Sequence, residues 1–391
     1  MQIKNLEIHV LLADDFDETL TSSAQDSLLV VVEDERGNRG YGESDVNPWI
    51  GRACIDAPGT HTMGLCLRDL LMSEPVEDIR VFWERAYVAT AMNGRRGAVI
   101  HALGAVEMAL WDLLGKRENK PVWQLLGRER RSDPVVPYAS LQPHGVGFHD
   151  YRDALCQAAE RARTLGFRAM KAEITMNGPY AHDGMKEPYD RHTELISEVR
   201  RTVGDDVTLM VDVQYMFPDA VTAAAVMKDW LEFDLYFVET PVWCDDLSEH
   251  RKLSELVDIP IAMGEWLSTR HEFADLIACG GVSIPQPDIG RVGGLSEALL
   301  VADMAARHDL TIVPHCWKTG VSTAATAHFS AVTPHCKFIE FLPQELCIEK
   351  LRKELTVGGV SMQDGVIVGL DDAPGLGVDL NWDAVRTYAQ P

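Results

Sequence analysis

The chain has 391 residues, 46% of them hydrophobic and 25% charged, so it can bury a large core without disulfides or metals as staples. Acidic residues outnumber basic ones 60 to 36, for a formal charge of −24; that surface repels nucleic acid and anionic membrane and excludes both as partners. A chain of this length predicts two domains, or one large barrel with a lid.

The opening "MQIKNLEIHVLLADD" alternates like a strand and lacks the basic region, apolar run and cleavage site of a secretory signal. More alternating strands follow in "DSLLVVVEDERGNRGYGES" (26–44). The next stretch, "DVNPWIGRACIDAPGTHTMG" (45–64), is rich in Pro and Gly and reads as a long loop of functional or mobile character. Trp49 and Arg52 within it are candidate lid contacts to a substrate. "GAVIHALGAVEMALWDLLG" (97–115) is apolar but interrupted by His101, Glu107 and Asp112, which predicts a buried helix rather than a membrane span. Residues 1–130 thus read as an α+β domain. The eight cysteines are scattered and form no C-x-x-C pair, as expected of thiols in a reducing compartment, with the cytoplasm as the expected location.

From Val135 to about Pro343 the pattern changes to short apolar runs separated by amphipathic helices. The runs are "VVPYAS", "FRAMKAEI", "VTLMVDV", "LYFVET", "IPIAMGE", "VSIPQPD", "LTIVPHC" and "KFIEFL". Eight such runs predict parallel βαβ units closed into a (β/α)8 barrel over residues 131–345; an open doubly wound sheet usually has fewer strands. Residues 346–391, with the turn-rich "PGLGVDLN", are expected to pack back on the N-terminal domain.

In a barrel the chemistry sits at the C-terminal ends of the strands. Three consecutive runs end in acids: Asp212, Glu239 and Glu265, spaced 27 and 26 residues apart. Each ends an apolar run with no other reason to carry charge. Three converging carboxylates repel one another, and a divalent cation removes that cost; an all-oxygen set suits Mg²⁺, with Mn²⁺ as second choice. The next two runs end in Asp288 and His315. On neighbouring strands the carboxylate can fix the imidazole tautomer and raise its basicity, making a general acid/base. Glu340 ends the eighth run; kept protonated, it would donate a hydrogen bond to a developing oxyanion. Lys171 and Glu173, two apart in "MKAE", share one strand face about 7 Å apart.

These motifs resemble the enolase superfamily, and within it the mandelate racemase-like branch that includes acid-sugar dehydratases. The resemblance covers nearly the whole chain, including "ALGAVEMALWDLLGKRENKPVWQLLG" (102–127), similar to a helix motif of the family's capping domain. It implies one Mg²⁺ per active site on Asp212, Glu239 and Glu265, an Asp288–His315 dyad, and catalytic roles for Lys171 and Glu340. It also implies a modified (β/α)8 barrel, an α+β lid completed by the C-terminal tail, loops near 14–26 and 45–64 closing over the substrate, and a homo-oligomer.

Three positions depart from the family pattern. Glu173 stands where a second catalytic lysine is usual, Gln214 where an Asn is common, and Thr240 follows Glu239 in place of a second Glu. Losing the second lysine argues against racemisation by two opposed bases. Glu173 is expected to pair with Lys171 or a substrate hydroxyl, and Gln214 to reach the metal or the substrate. The insertion "TMNGPYAHDGMKEPYDRH" (175–192) places His182 or Tyr180 over the barrel mouth for substrate selection, or else forms a surface or oligomer-contact loop. The expected reaction is Mg²⁺-dependent dehydration of a sugar acid to a 2-keto-3-deoxy acid. A cycloisomerase or a single-face epimerase is the alternative, and a non-enzymatic metal-binding barrel would have no need of the Asp288–His315 pair.

Overall fold

The protein is described from a computed structural model covering residues 1–342 and 344–391, with the side chain of Asp183 also outside the description. The expected end of the repeat at Pro343 lies outside the described residues. Three antiparallel strands come first, β1 (Ile3–Leu12), β2 (Asp26–Asp34) and β3 (Arg39–Ser44), in the order β1-β2-β3. The apolar run Leu28–Val32 makes β2 the buried centre of this sheet. The long helix Ala98–Glu118 lies flush against β3, because Gly40 and Gly42 have no Cβ; one built there would overlap the carbonyls of Ala109 and Ala105.

That helix is long and apolar enough to span a membrane by length and composition, but most of it is buried within the protein. The polar residues that interrupt it have local work. Glu107 accepts from the backbone N–H of Leu295 and Ser296 at 2.8 and 2.9 Å, capping the barrel helix Leu295–Arg307. Asp112 accepts from Tyr41 N at 2.8 Å and Leu376 N at 2.7 Å, joining the helix to β3 and to the C-terminal tail.

The stretch 45–64 is not one long loop: Pro48–Asp56 forms a helix, with Asn47 capping Ile50 N and Pro48 at the first turn. Both are ordinary helix-start signals that the Pro/Gly composition of the segment obscures.

Parallel strands β4 (Pro137–Leu141), β5 (Ala169–Glu173), β6 (Thr208–Asp212), β7 (Leu235–Glu239), β8 (Ile261–Met263), β9 (Ile284–Pro285) and β10 (Ile339–Phe341) form one curled sheet in the order β10-β4-β5-β6-β7-β8-β9. The seventh expected run is extended without a full ladder. Val313 N donates to Pro285 O at 3.3 Å and Lys337 N to Ile312 O at 3.2 Å, which bridges β9 to the approach of β10. Tyr138, Ala169, Met210, Phe237, Ala262, Ile284, Val313 and Phe338, one from each run, pack together as the inner layer. With a side-chain period of two, the residue two further on in most runs faces the same interior one step nearer the mouth. Those positions hold Ser140, Lys171, Asp212, Glu239, Gln286, His315 and Glu340.

The tail forms two short hairpin-like pairs, β11 (Thr356–Gly358) with β14 (Val378–Leu380) and β12 (Ser361–Gln363) with β13 (Val366–Val368), then a helix, Trp382–Tyr388. It returns to the N-terminal sheet: Tyr41 Oη donates to Asp379 at 3.0 Å, and Gln390 N to Val10 O at 2.8 Å.

Candidate active site

A cavity of about 170 Å³ opens at the C-terminal ends of the barrel strands. Lys171, Glu173, Asp212, Gln214, Glu265, His315 and Glu340 line it, while Glu239 is wholly buried beneath. The strand-end groups expected from the sequence therefore meet in one place.

The two members of "MKAE" part company. The Lys171 ammonium lies 2.9 Å from Glu239 Oε2, 3.0 Å from Glu340 Oε1 and 3.5 Å from Asp212 Oδ2. Burial works against its charge, but Glu239 and Glu340 hold its pKa well above the usual lysine range. Glu173 does not pair with Lys171. Its Oε1 accepts from the Thr175 hydroxyl, and from Thr175 N at 3.2 Å, with His182 Nε2 at 3.6 Å. Burial, and then the neighbouring Asp212, push its pKa well above the usual carboxylate range.

Asp212 Oδ1 accepts from Gln214 N and Thr240 Oγ1, each at 3.0 Å. Gln214, Tyr215 and Thr240 all have positive φ, between 37° and 60°. Such conformations are costly for residues other than glycine, and they cluster where β6 and β7 deliver their acids. Glu265 accepts from Tyr215 Oη at 2.8 Å and stands 3.3 Å from both Arg291 and His315 Nε2. Burial, and then Asp212, push the Glu239 carboxyl well above its usual range.

Asp288 Oδ1 accepts from Gly290 N at 2.7 Å and Arg291 N at 3.1 Å, so the cap of a short helix fixes the carboxylate. Its Oδ2 lies 2.7 Å from His315 Nδ1, which directs Nε2 into the cavity. Burial alone would lower the imidazole pKa, but Glu340 and the Asp288 hydrogen bond outweigh it and hold it up at about 9. Glu340 differs from the expected protonated donor. Burial would raise its pKa, but Lys171 and His315 bring it down to about 2. Its Oε2 accepts from Cys316 N at 2.7 Å, and its Oε1 is ion-paired with Lys171 at 3.0 Å.

The donor set fits a hard divalent cation in kind: all oxygens, all buried, with Glu239 Oε1 and Gln214 Oε1 lacking any hydrogen-bond partner. As they stand, no three His, Cys, Asp or Glu side chains among the described residues close on one point at ligand distance. Asp212 and Glu239 instead flank the Lys171 ammonium.

Two expected substrate contacts are not brought to the cavity. Trp49 is exposed on the helix Pro48–Asp56, and Arg52 on the same helix donates to the Pro391 carbonyl at 2.9 Å. On this helix, unforeseen in the sequence, neither side chain lines the cavity. His182 is buried behind Glu173, stacked on Tyr151 with ring centroids 5.0 Å apart, while Tyr180 from the same insertion lines the cavity. Arg291, Tyr215, Trp266, Trp317, Ser140, Gln142, Thr21 and Ser23 also line it and were not picked out from the sequence. The signal was present for several of them. Ser140 ends the first barrel run, Gln142 lies two residues beyond it, and Trp317 lies two residues beyond His315.

Residues 15–127 match the family described as mandelate racemase / muconate lactonizing enzyme, N-terminal domain, and residues 154–384 match the enolase C-terminal domain-like family. The chain is 30% identical to an arabinonate dehydratase of Saccharolobus solfataricus, over 91% of this chain and 89% of that one. It is equally 30% identical to a D-galactarolactone cycloisomerase of Agrobacterium fabrum, over 93% and 91%. A racemase of Streptomyces coelicolor, solved with bound magnesium, superposes with a TM-score of 0.82 at 25% identity, covering 99% of this chain and 100% of that one. Matched along both parts of its length, the protein belongs to the mandelate racemase / muconate lactonizing enzyme family of the enolase superfamily.

Proposed function

We propose that the protein is a Mg²⁺-dependent lyase that removes water from a sugar acid to give a 2-keto-3-deoxy acid. The observation that carries this reading is His315, held at 2.7 Å by Asp288 with Nε2 facing a carboxylate-lined cavity. Asp212, Glu239 and Glu265 would hold the cation, with Mn²⁺ as an alternative. When bound, it would offset these carboxylates, polarise the acid's carboxylate and draw the imidazole pKa back toward neutrality.

The chain's own groups then divide the work. Neutral His315 takes the proton α to the substrate carboxylate, and the C–H electrons move into the carboxylate system. The same imidazolium returns its proton to the 3-hydroxyl as the C3–O bond breaks, so water leaves and the enol ketonises. Lys171 supplies a fixed positive charge beside the developing negative charge. Glu340 keeps Lys171 in place and charged and stabilises the imidazolium that forms on His315, a role different from the hydrogen-bond donor expected of it. Glu173, tied to Thr175 and His182, is not set up as a second base, which supports one-sided elimination over racemisation. Segment 1–130 together with 346–391 acts as the lid over this chemistry.

A cycloisomerase is the second reading, since the two relatives above are equally similar and one bears that activity in its name. The purified protein with Mg²⁺, offered a library of aldonic and aldaric acids and their lactones, separates the two. Formation of 2-keto-3-deoxy acid from an open-chain acid, with loss of one water, supports the dehydratase. Lactone ring opening or closure without loss of water replaces it with the cycloisomerase.

A further inference from the structure

Every charged group on the cavity wall comes from a barrel strand end or from Arg291, and the remaining wall is neutral. That neutral part is made by Thr21 and Ser23 from the segment before β2, Gln142 after β4, Tyr180 from the insertion after β5, and Trp266 and Trp317. Its polar atoms are hydroxyls and an amide: Gln142 Nε2 donates to Thr21 Oγ1 at 3.4 Å, and Ser23 Oγ donates to Asp45 at 3.0 Å. Its other face is aromatic, with Tyr180 edge-on to Trp266 at 5.5 Å and Tyr215 at 4.5 Å from Trp266.

The cations near the cavity are already committed. Lys171 sits among Glu239, Glu340 and Asp212. Arg291 pairs with Asp45 and Glu265, and Lys318 behind it with Asp26 at 2.7 Å and Asp45 at 2.9 Å. A second carboxylate on a bound substrate would lose its hydration against a wall of hydroxyls and rings, in the field of several fixed carboxylates, and among the described residues every cation lining this cavity is already paired. Beyond Gln142 and Trp317 a second cavity holds Arg161 and His144, but Glu345 and Glu349 line it too. A chain of alcohols meets none of these penalties: hydroxyls match Thr21, Ser23 and Gln142, and C–H faces match the rings.

We infer that the site selects a polyhydroxy acid with a single carboxylate and an uncharged far end, and discriminates against the matching diacid. The inference rests on the reading above only in that the acid's carboxylate enters the strand-end cluster.

The test compares aldonic and aldaric acids of identical configuration, differing only at the terminal carbon, with the full-length protein and Mg²⁺. Turnover, solvent-deuterium entry at the α-carbon and the shift in melting temperature are recorded for each pair. The expected result is an aldonate kcat/KM at least a hundredfold above that of the matched aldarate. Gln142→Lys, which adds a cation to the neutral wall, is expected to narrow that gap at least tenfold by raising the aldarate. Turnover of an aldarate equal to or faster than its aldonate overturns the inference and leaves the dehydration reading intact. Deuterium entry into aldonates alone, without a 3-deoxy product, upholds the inference and removes dehydration. No turnover, exchange or melting shift with any member of the pairs overturns both.

Discussion

Glu173 occupies the position where a second strand-end base would stand, and its surroundings show what it does instead. Its Oε1 is held by the Thr175 hydroxyl and N–H, with His182 at 3.6 Å, and His182 Nδ1 lies 3.2 Å from Thr21 Oγ1. The carboxyl group is therefore tethered to the insertion and to the segment before β2, on the flank of the cavity. In the proposed reaction Glu173 is not the base, so Glu173→Gln should keep kcat within about tenfold of wild type, well short of the 10²–10⁴-fold expected on removing a general base. A steady-state assay on the accepted acid decides this. A loss of a thousandfold or more would give Glu173 a direct part in proton transfer.

At the scale of elements, the close seating of β3 on the helix Ala98–Glu118 decides where Glu43 and Asp45 reach the barrel. Gly42 is the tightest point, since any Cβ would overlap the Ala105 carbonyl, a backbone atom that cannot swing aside. Gly42→Ala is expected to destabilise the protein by about 3 kcal/mol or more, as overpacking against a rigid neighbour does. It should appear as a lower denaturation midpoint; an unchanged midpoint would show that strand and helix separate freely. Much of this level was legible in the sequence. An acid that ends an apolar run has few other reasons to be there, so Asp212, Glu239, Glu265 and Glu340 could be placed by counting. The seventh run was recognised by composition, although it forms bridges rather than a full ladder. The helix Pro48–Asp56 was missed because glycines and prolines around it masked its Asn47 cap, and with it went the assignments of Trp49 and Arg52. The ionised state of Glu340 depends on Lys171 across the barrel, and Arg291 acquires meaning only beside Asp45 from the segment after β3. Neither pairing leaves a trace in local periodicity.

Over the whole molecule, the segment that follows His315 is fastened to the N-terminal domain. Glu43 accepts from Thr319 N at 3.1 Å and Ser322 Oγ at 3.0 Å, Trp317 Nε1 donates to Ser22 at 3.1 Å, and Lys318 is buried against Asp26 and Asp45. Asp45 is the centre of this junction. Burial would raise its pKa, but Arg291 and Lys318 outweigh that and hold it below the usual aspartate range. A depressed folded-state pKa stabilises the protein above the unfolded value near 4, and that contribution fades as the pH falls below about 4. Asp45→Asn should therefore lower stability by about 3 kcal/mol at pH 7, with Arg291 and Lys318 left short of a buried partner. Its melting temperature should also fall less steeply than wild type between about pH 5 and 3. Parallel acid arms for the two proteins would show that Asp45 is not the titrating group.

In the proposed reaction His315 is the single base that takes the α-proton. The most direct test follows turnover of the accepted acid, protonated or deuterated at the α-carbon, by wild type and by His315→Asn in saturating Mg²⁺. A primary isotope effect in wild type, together with a loss of at least about a thousandfold in the variant at unchanged melting temperature, is the predicted result. Turnover by His315→Asn within tenfold of wild type would contradict it.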